Sequence, residues 1–273
     1  MLSLLTVFGA GYMIIVGTLW VLQRQLLFLP DRSTPQLATA GLPEMTDVRV
    51  RTADGLELLA WWHPPDADRL TVVYLHGNGG HIGYRGSRVR PFLDRGMGVL
   101  LVSYRGYGGN PGSPSEEGLL ADGRAALEFL AAWGIAADRT VLYGESLGTT
   151  VAVRLAAEWA EAGRPVAALI LEAPLSSVAD VAAHHYPWVP VRLLLKDRLE
   201  AAAHIDRVSA PLLVMHGDRD DVVPIRFGRR VFDAALEPKE AVWFENGGHE
   251  DLASQGSHPV VLDFLRRHVR RGD

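Results

Sequence analysis

The sequence predicts an α/β protein built on one doubly wound, mostly parallel sheet of about eight strands, with helices on both faces. Short, continuously apolar runs alternate along the chain with segments whose apolar residues recur at helical spacing. Strands that are apolar throughout are typical of a parallel sheet, because helices cover both of its faces. Ahead of these segments lies an uncharged stretch, Leu2–Leu22, which predicts a transmembrane helix at the N-terminal end.

The composition excludes several classes of binding partner and of catalytic chemistry for this protein. With 273 residues, 48% hydrophobic and 22% charged, the chain has the composition of an ordinary globular domain. The net charge is −5 and no basic run occurs, so we expect no nucleic-acid partner. Cysteine is absent, which excludes disulfides, thiolate catalysis and cysteine-ligated metal centres.

Residues 1–24 are predicted to form a single-pass membrane anchor. An apolar helix of about 20 residues spans the hydrocarbon core, and Trp20 lies where an aromatic belt is expected. A cleaved signal peptide is the alternative, but Leu2–Leu22 has no basic residue before it and no small-residue cleavage site directly after it. Arg24 and Arg32 favour a cytoplasmic domain by the positive-inside rule, although two arginines leave the side of the membrane open.

A linker, residues 25–45, precedes the predicted sheet, and its part from Pro30 to Met45 is polar. Thr46–Thr52 and Leu56–His63 flank a turn and predict an antiparallel hairpin at one edge. The six buried strands that follow are predicted at Val72–Leu75, Val99–Val102, Thr140–Tyr143, Ala168–Leu171, Leu212–Met215 and Ala241–Phe244. Three helices with clear apolar spacing are predicted at Glu116–Trp133, Thr149–Trp159 and Val260–Val269.

The segment Gly144-Glu145-Ser146-Leu147-Gly148 follows one predicted strand directly and leads into an alanine-rich helix. A G-x-S-x-G sequence between a strand and a helix is the context of a nucleophile elbow, in which a sharp turn presents the serine. Reactive groups in a doubly wound sheet lie at the carboxyl ends of its strands. We therefore predict that Ser146 is a catalytic nucleophile.

The same principle locates an acid after a later strand and a histidine after the last one. His249 follows the final predicted strand on a Gly-Gly loop, so it is the candidate base for the Ser146 proton. Asp218, Asp220 and Asp221 follow the preceding strand and compete to orient the imidazole. Alternatively, any one of these aspartates could be a turn residue or a helix cap.

An oxyanion hole needs two backbone N–H groups that point at the developing negative charge. We expect one from Leu147, which follows the nucleophile, and the other from Asn78 in the glycine-rich loop after the first buried strand. A phosphate cradle is the alternative for this loop, but no phosphate-binding glycine motif accompanies it. His76 at the start of the loop is expected to be structural.

Taken together, the motifs resemble those of the α/β-hydrolase superfamily. The motifs are His76-Gly77-Asn78-Gly79, Ser103-Tyr104-Arg105-Gly106-Tyr107-Gly108, Gly144–Gly148, His216-Gly217-x-x-Asp220-x-x-Val223-Pro224 and Gly247-Gly248-His249-x-Asp251. The chain is similar in particular to a membrane-anchored branch of ABHD-type and serine aminopeptidase-like hydrolases. The resemblance implies an α/β-hydrolase domain over residues 46–273 and selects Asp220 as the acid of a catalytic triad.

The resemblance also implies a small lid inserted at residues 175–210. Its aromatic residues Tyr186 and Trp188 are candidates for substrate binding, or they pack on the sheet. The adjacent pair His184-His185 has no carboxylate at ligand spacing beside it, so we predict no metal site. No cofactor is predicted.

The leading hypothesis is a membrane-anchored serine hydrolase that cleaves carboxylic esters or thioesters through an acyl-enzyme. Its substrate would be a small-molecule or lipid-like acyl compound. One alternative is a peptidase or amidase of the serine aminopeptidase type, because a triad does not distinguish esters from amides. The other is a non-catalytic binding protein on a hydrolase fold.

Overall fold

An eight-stranded sheet forms the centre of the protein, which the computed structural model describes over residues 2–269. Residue 1 and residues 270–273, at the ends of the predicted anchor and domain, lie outside the described residues. The strands are β1 Thr46–Arg51, β2 Glu57–His63, β3 Thr71–Leu75, β4 Gly98–Val102, β5 Thr140–Glu145, β6 Ala168–Glu172, β7 Leu212–Gly217 and β8 Lys239–Phe244. Every strand predicted from the sequence is present, with ends that agree to within two residues.

The strand order is β8-β7-β6-β5-β3-β4-β2-β1. The hairpin β1–β2 and the pair β2–β4 are antiparallel, and the remaining neighbours are parallel. The hairpin therefore forms one edge of the sheet, as its alternating pattern predicted. The doubly wound, mostly parallel sheet is confirmed.

Eight α-helices accompany this sheet within residues 2–269. They are α1 Leu2–Leu27, α2 Gly86–Leu93, α3 Glu116–Ala132, α4 Leu147–Glu161, α5 Val178–His185, α6 Val191–Leu194, α7 Ile225–Ala234 and α8 Ser257–His268. Helix α2 was not expected from the sequence, because Pro91 interrupts its pattern and a glycine starts it. Gly86 is needed there, since a Cβ at this position would lie 1.9 Å from the carbonyl oxygen of Ala40.

Successive strand residues point into two apolar cores, one on each face of the sheet. On one face, Val73 and Leu75 of β3 pack with α3 and α4. On the other face, Val72 and Tyr74 pack with α2 and α8. The central strands are buried completely, which explains why they read as unbroken apolar runs.

The N-terminal helix α1 lies outside both cores over most of its length. Its segment Leu4–Leu27 has a mean hydropathy of 1.9, and among the described residues it is the one helix long and apolar enough to cross a membrane. At about 1.5 Å per residue this segment is roughly 36 Å long, against about 30 Å of hydrocarbon. After it, Leu29–Pro30 pairs in parallel with Gly79–Gly80 in the glycine-rich loop.

The carboxyl ends of the parallel strands meet at one edge of the sheet. The loops after β3, β5, β7 and β8 leave from this edge, and they carry the residues singled out above. Residues 175–210, the segment predicted as a lid and called the lid below, connect β6 to β7 at the same edge and contain α5 and α6.

Candidate active site

Ser146 lies in a sharp turn between β5 and α4, with φ of 48° and ψ of −118°. The turn brings the chain close to its neighbours, so both flanking glycines are required. A Cβ on Gly144 would lie 2.6 Å from the Cα of Thr149, and one on Gly148 would lie 2.1 Å from the carbonyl oxygen of Leu75. Such strained backbone costs about 1–3 kcal/mol, and it persists where the surrounding structure holds it.

The structure brings the three predicted triad residues together. The Oγ of Ser146 lies 3.0 Å from Nε2 of His249, and Nδ1 of that histidine lies 2.7 Å from Oδ2 of Asp220. Both distances are within hydrogen-bond reach. Of the competing aspartates, Asp218 instead accepts the backbone N–H of Asn246 at 2.7 Å.

Asp220 is buried, and hydrogen-bond donors contact both of its carboxylate oxygens. Its Oδ1 accepts the backbone N–H groups of Val222 at 2.9 Å and Val223 at 2.7 Å, and its Oδ2 lies 3.2 Å from Nε2 of His216. Burial raises the pKa of Asp220, but the hydrogen bonds from His216 and His249 outweigh it and hold this pKa well below its usual range. The carboxyl group is therefore an anion at neutral pH.

The negative charge of Asp220 acts on the imidazole. Burial lowers the pKa of His249, but the hydrogen bond and charge of Asp220 outweigh it, so the pKa lies above its ordinary value. With Nδ1–H donating to Asp220, Nε2 is left to accept the hydroxyl proton of Ser146. The arrangement can remove a proton from the serine and stabilise the imidazolium that forms.

The two predicted oxyanion-hole residues, Asn78 and Leu147, both line the cavity that contains Ser146. The Asn78 peptide is held from two sides. The hydroxyl of Tyr107 donates to its carbonyl oxygen at 2.9 Å, and the backbone N–H of Leu29 donates to its side-chain oxygen at 3.3 Å. The segment that follows α1 therefore helps to support the glycine-rich loop Gly77–Gly80, called the oxyanion loop below after the role predicted for it.

His76 lies beneath this loop, where its Nδ1–H donates to the Gly77 carbonyl oxygen at 2.7 Å. Burial lowers the pKa of His76 to about 3, which keeps the imidazole neutral. Its contacts correspond to the structural role expected from the sequence.

The two aromatic residues singled out in the lid differ in their surroundings. Tyr186 lines the cavity, whereas the carbonyl oxygen of Trp188 accepts the hydroxyl of Tyr12 from α1 at 3.0 Å. His185 contacts the Val222 carbonyl oxygen through Nε2 at 2.9 Å. Within residues 2–269, no group of three or more histidine, aspartate or glutamate side chains is positioned to hold a metal ion.

Comparisons with known proteins give the family. Residues 66–200 match the family described as serine aminopeptidase, S33. The uncharacterised protein Rv2307c of Mycobacterium tuberculosis is 41% identical over 93% of this chain and 89% of its own. Alpha/beta hydrolase domain-containing protein 17B of Xenopus laevis is 31% identical over 90% of this chain and 82% of its own.

The chain is an α/β-hydrolase. An esterase of Pyrococcus furiosus has the same fold, with a TM-score of 0.72 and 18% identity over 89% of this chain and 98% of that one. The fold and the superfamily predicted from the motifs are therefore confirmed.

The α/β-hydrolase also contains a mostly buried ion pair that was not expected from the sequence. The guanidinium of Arg85 contacts both carboxylate oxygens of Glu145, at 2.9 and 3.1 Å, and the Tyr74 hydroxyl donates to one of them at 2.9 Å. A third nitrogen of Arg85 donates to the Gly79 carbonyl oxygen at 3.0 Å. Burial raises the pKa of Glu145, but the charge of Arg85 outweighs it and lowers this pKa to about 2. Arg85 thus ties the nucleophile elbow to the oxyanion loop.

One cavity of about 790 Å³ lies over the Ser146 hydroxyl in this α/β-hydrolase. Its walls come from the oxyanion loop, the lid and the C-terminal half of α1. The contribution of α1 could not be predicted from the sequence. The mean hydropathy of an apolar segment does not show which of its faces packs against the rest of the protein.

Proposed function

We propose that this α/β-hydrolase is a membrane-anchored serine hydrolase that cleaves carboxylic ester or thioester bonds through an acyl-enzyme. The observation that carries this proposal is the contact of 3.0 Å from Ser146 Oγ to His249 Nε2, continued at 2.7 Å to Asp220. Esterase activity is named for a solved structure of the same fold, and that name adds support.

In the first half of the reaction, His249 Nε2 takes the hydroxyl proton while Ser146 Oγ bonds to the carbonyl carbon of the substrate. The carbonyl oxygen becomes an oxyanion, which the backbone N–H groups of Asn78 and Leu147 would stabilise. The intermediate then collapses, the bond to the leaving oxygen or sulfur breaks, and His249 gives its proton to that atom. Ser146 is left acylated.

In the second half, water replaces the alcohol or thiol. His249 accepts one proton from the water as the water oxygen bonds to the acyl carbon. The new intermediate breaks its bond to Ser146 Oγ, which recovers the proton from His249. A carboxylic acid leaves, and the charge of Asp220 has stabilised the imidazolium in both halves.

The family name also raises a peptidase or amidase function. An aminopeptidase must hold a positively charged amino group near its nucleophile. Of the two glutamates that line the cavity, Glu145 is already paired with Arg85, which leaves Glu250 as the carboxylate that an amine could contact. The cavity wall is mainly apolar, which supports an acyl substrate. Tyr186, which lines the cavity, is proposed as a substrate contact on the lid, whereas the exposed Trp188 side chain does not line the cavity and is not proposed as one.

We also propose the domain limits: an anchor at residues 1–24, a linker at 25–45 and a hydrolase domain at 46–273 with a lid at 175–210. Support for the anchor comes from the exposure and hydropathy of α1, of whose apolar residues many face outward. Signal sequences share these properties, so the test includes the mass of the mature protein.

The test is labelling of the full chain with a fluorophosphonate probe in isolated membranes. We expect wild type to be labelled, Ser146→Ala to be unlabelled, and Ser87→Ala, which changes an exposed serine on α2, to be labelled as wild type. The same proteins are assayed on p-nitrophenyl esters and on aminoacyl p-nitroanilides.

Hydrolysis of the anilides alone would favour the peptidase, and a folded wild type that neither labels nor hydrolyses would favour the binding protein. If the intact mass of the labelled protein showed that residues 1–24 had been removed, the segment would be a cleaved signal peptide and not an anchor.

A further inference from the structure

The C-terminal half of α1 presents one face to the candidate active site. Its cavity-lining residues are Val16, Leu19, Trp20, Gln23, Leu26 and Leu27. They recur at intervals of three or four along the helix, so they share one face. Val16 is 8% exposed, whereas Val21 on another face is 65% exposed.

Side-chain hydrogen bonds to the lid hold this face in place. Arg24 forms a two-pronged ion pair with the buried Asp197, at 2.7 and 3.0 Å. The Gln23 side chain donates to the Leu194 carbonyl oxygen at 3.3 Å and accepts the Lys196 backbone N–H at 2.7 Å. The polar atoms of Gln23 are therefore engaged by the lid backbone, which leaves the wall apolar.

A further contact lies closer to the middle of α1. The Tyr12 hydroxyl donates to the Trp188 carbonyl oxygen at 3.0 Å. From Tyr12 to Arg24 the helix rises roughly 18 Å at about 1.5 Å per residue. The lid and α1 are therefore joined along about half of the apolar segment of α1.

The shape and lining of the cavity indicate what it holds. Val181, Val189 and Leu195 of the lid face the same space as the α1 residues, and Ser146 lies in its wall together with Val16. A volume of about 790 Å³ is within the range of small-molecule sites, which are about 300–1,000 Å³. An apolar chain whose carbonyl end lies at Ser146 would extend along α1.

We propose that the face of α1 from Val16 to Leu27 is one wall of an acyl-binding site that selects long aliphatic acyl chains. The proposal rests on the proposed serine hydrolase activity. In addition to anchoring the protein, α1 determines specificity: it buries the distal methylene groups of the acyl chain, each worth about 0.8 kcal/mol when buried.

The test compares two substitutions of the same residue type on one helix. Val16→Trp fills the cavity wall, and Val21→Trp adds the same ring on an exposed face. Full-length proteins in one detergent are assayed on p-nitrophenyl palmitate and p-nitrophenyl butyrate. We expect Val16→Trp to lower kcat/KM for palmitate by about tenfold relative to butyrate, equal to the burial of about two methylene groups. Val21→Trp should leave the ratio unchanged.

Leu19→Trp is a second cavity variant, in case Val16→Trp does not fold. An unchanged palmitate-to-butyrate ratio in a folded cavity variant would contradict the proposal that α1 forms a wall of the acyl-binding site. If butyrate hydrolysis still depended on Ser146 in that case, the proposed serine hydrolase function would stand. An equal fall in Val21→Trp would also contradict the α1 wall, because the effect would then come from the helix surface. Absence of both probe labelling and ester hydrolysis in wild type would overturn the proposed function itself.

Discussion

The Ser146–His249–Asp220 array and the face of α1 border the same cavity, but they are held in place differently. Ser146 directly follows β5, and Asp220 and His249 lie in the loops that follow β7 and β8, so backbone pairing across these strands sets where the three residues meet. The three side chains are mostly buried, and Asp220 accepts backbone N–H groups from its own loop. The reacting atoms therefore depend on the most regular part of the molecule.

The α1 wall depends instead on side chains that meet across more than 170 residues of sequence. Arg24 is half exposed, and the partners of α1 lie in the lid rather than in the sheet. If both proposals hold, the roles are divided: the loops after the sheet strands carry the bond-cleaving residues, and the joined helix and lid select the acyl chain. Substitutions in the two regions should therefore change different kinetic constants.

The largest effect after loss of the nucleophile is expected from Asp220→Asn, which should lower kcat by about 10⁴, the size of the corresponding effect in the well-studied Ser-His-Asp template. The acid limb of kcat/KM should also move. Activity requires neutral His249, so kcat/KM rises with pH through its pKa, which Asp220 holds above the ordinary value of about 6.5. Without the carboxylate, the limb should shift to lower pH.

Asp221→Asn is the matched control, since this exposed neighbour should leave kcat and the pH profile near wild type. A larger loss from Asp221→Asn than from Asp220→Asn, in pH-dependent ester assays, would move the acid to Asp221.

An intermediate effect is expected at Arg85, which joins the elbow to the oxyanion loop. Arg85→Met leaves the carboxylate of Glu145 buried and unpaired, so unfolding free energy should fall by about 3–5 kcal/mol. The double variant Arg85→Met/Glu145→Gln removes that charge and should recover much of the stability. Its kcat should remain about 10² below wild type with little change in KM, because the loop position matters most in the transition state.

Thermal unfolding and steady-state kinetics measure the two quantities separately. If the double variant regained wild-type kcat together with its stability, Arg85 would be structural and would not position the loop.

The smallest effect is expected from Arg24→Gln, which weakens the docking of α1 on the lid. Because the pair is partly exposed, its contribution is about 0.2–1 kcal/mol, and palmitate kcat/KM should fall no more than about fivefold. Butyrate hydrolysis should be unaffected. Arg32→Gln removes a charge from the same flank of α1 and serves as control. Equal losses of kcat/KM on palmitate and butyrate would mean that Arg24 affects bond cleavage and not acyl-chain selection, and they would contradict the separate roles of the two regions.

Much of the array could be predicted because its signals are local. The turn at Ser146 needs glycines on both sides, and a strand before it and a helix after it, all within one short segment. His249 could be predicted from its place after the last strand. The choice of Asp220 over Asp218 and Asp221 needed the resemblance to the α/β-hydrolase superfamily. The three aspartates are identical in type and lie in one loop, and they differ only in where their side chains point.

The sequence by itself determined the doubly wound sheet, since buried strands and amphipathic helices carry periodicities that depend on the nearest neighbours in the chain. It also determined which strands lead into the candidate triad residues. Only the tertiary structure decided that Asp220 contacts His249, that Arg85 ties Glu145 to the oxyanion loop, and that Val16 rather than Val21 lines the cavity. Those outcomes depend on contacts between segments distant in sequence, for which identical valines in one apolar helix carry no distinguishing signal.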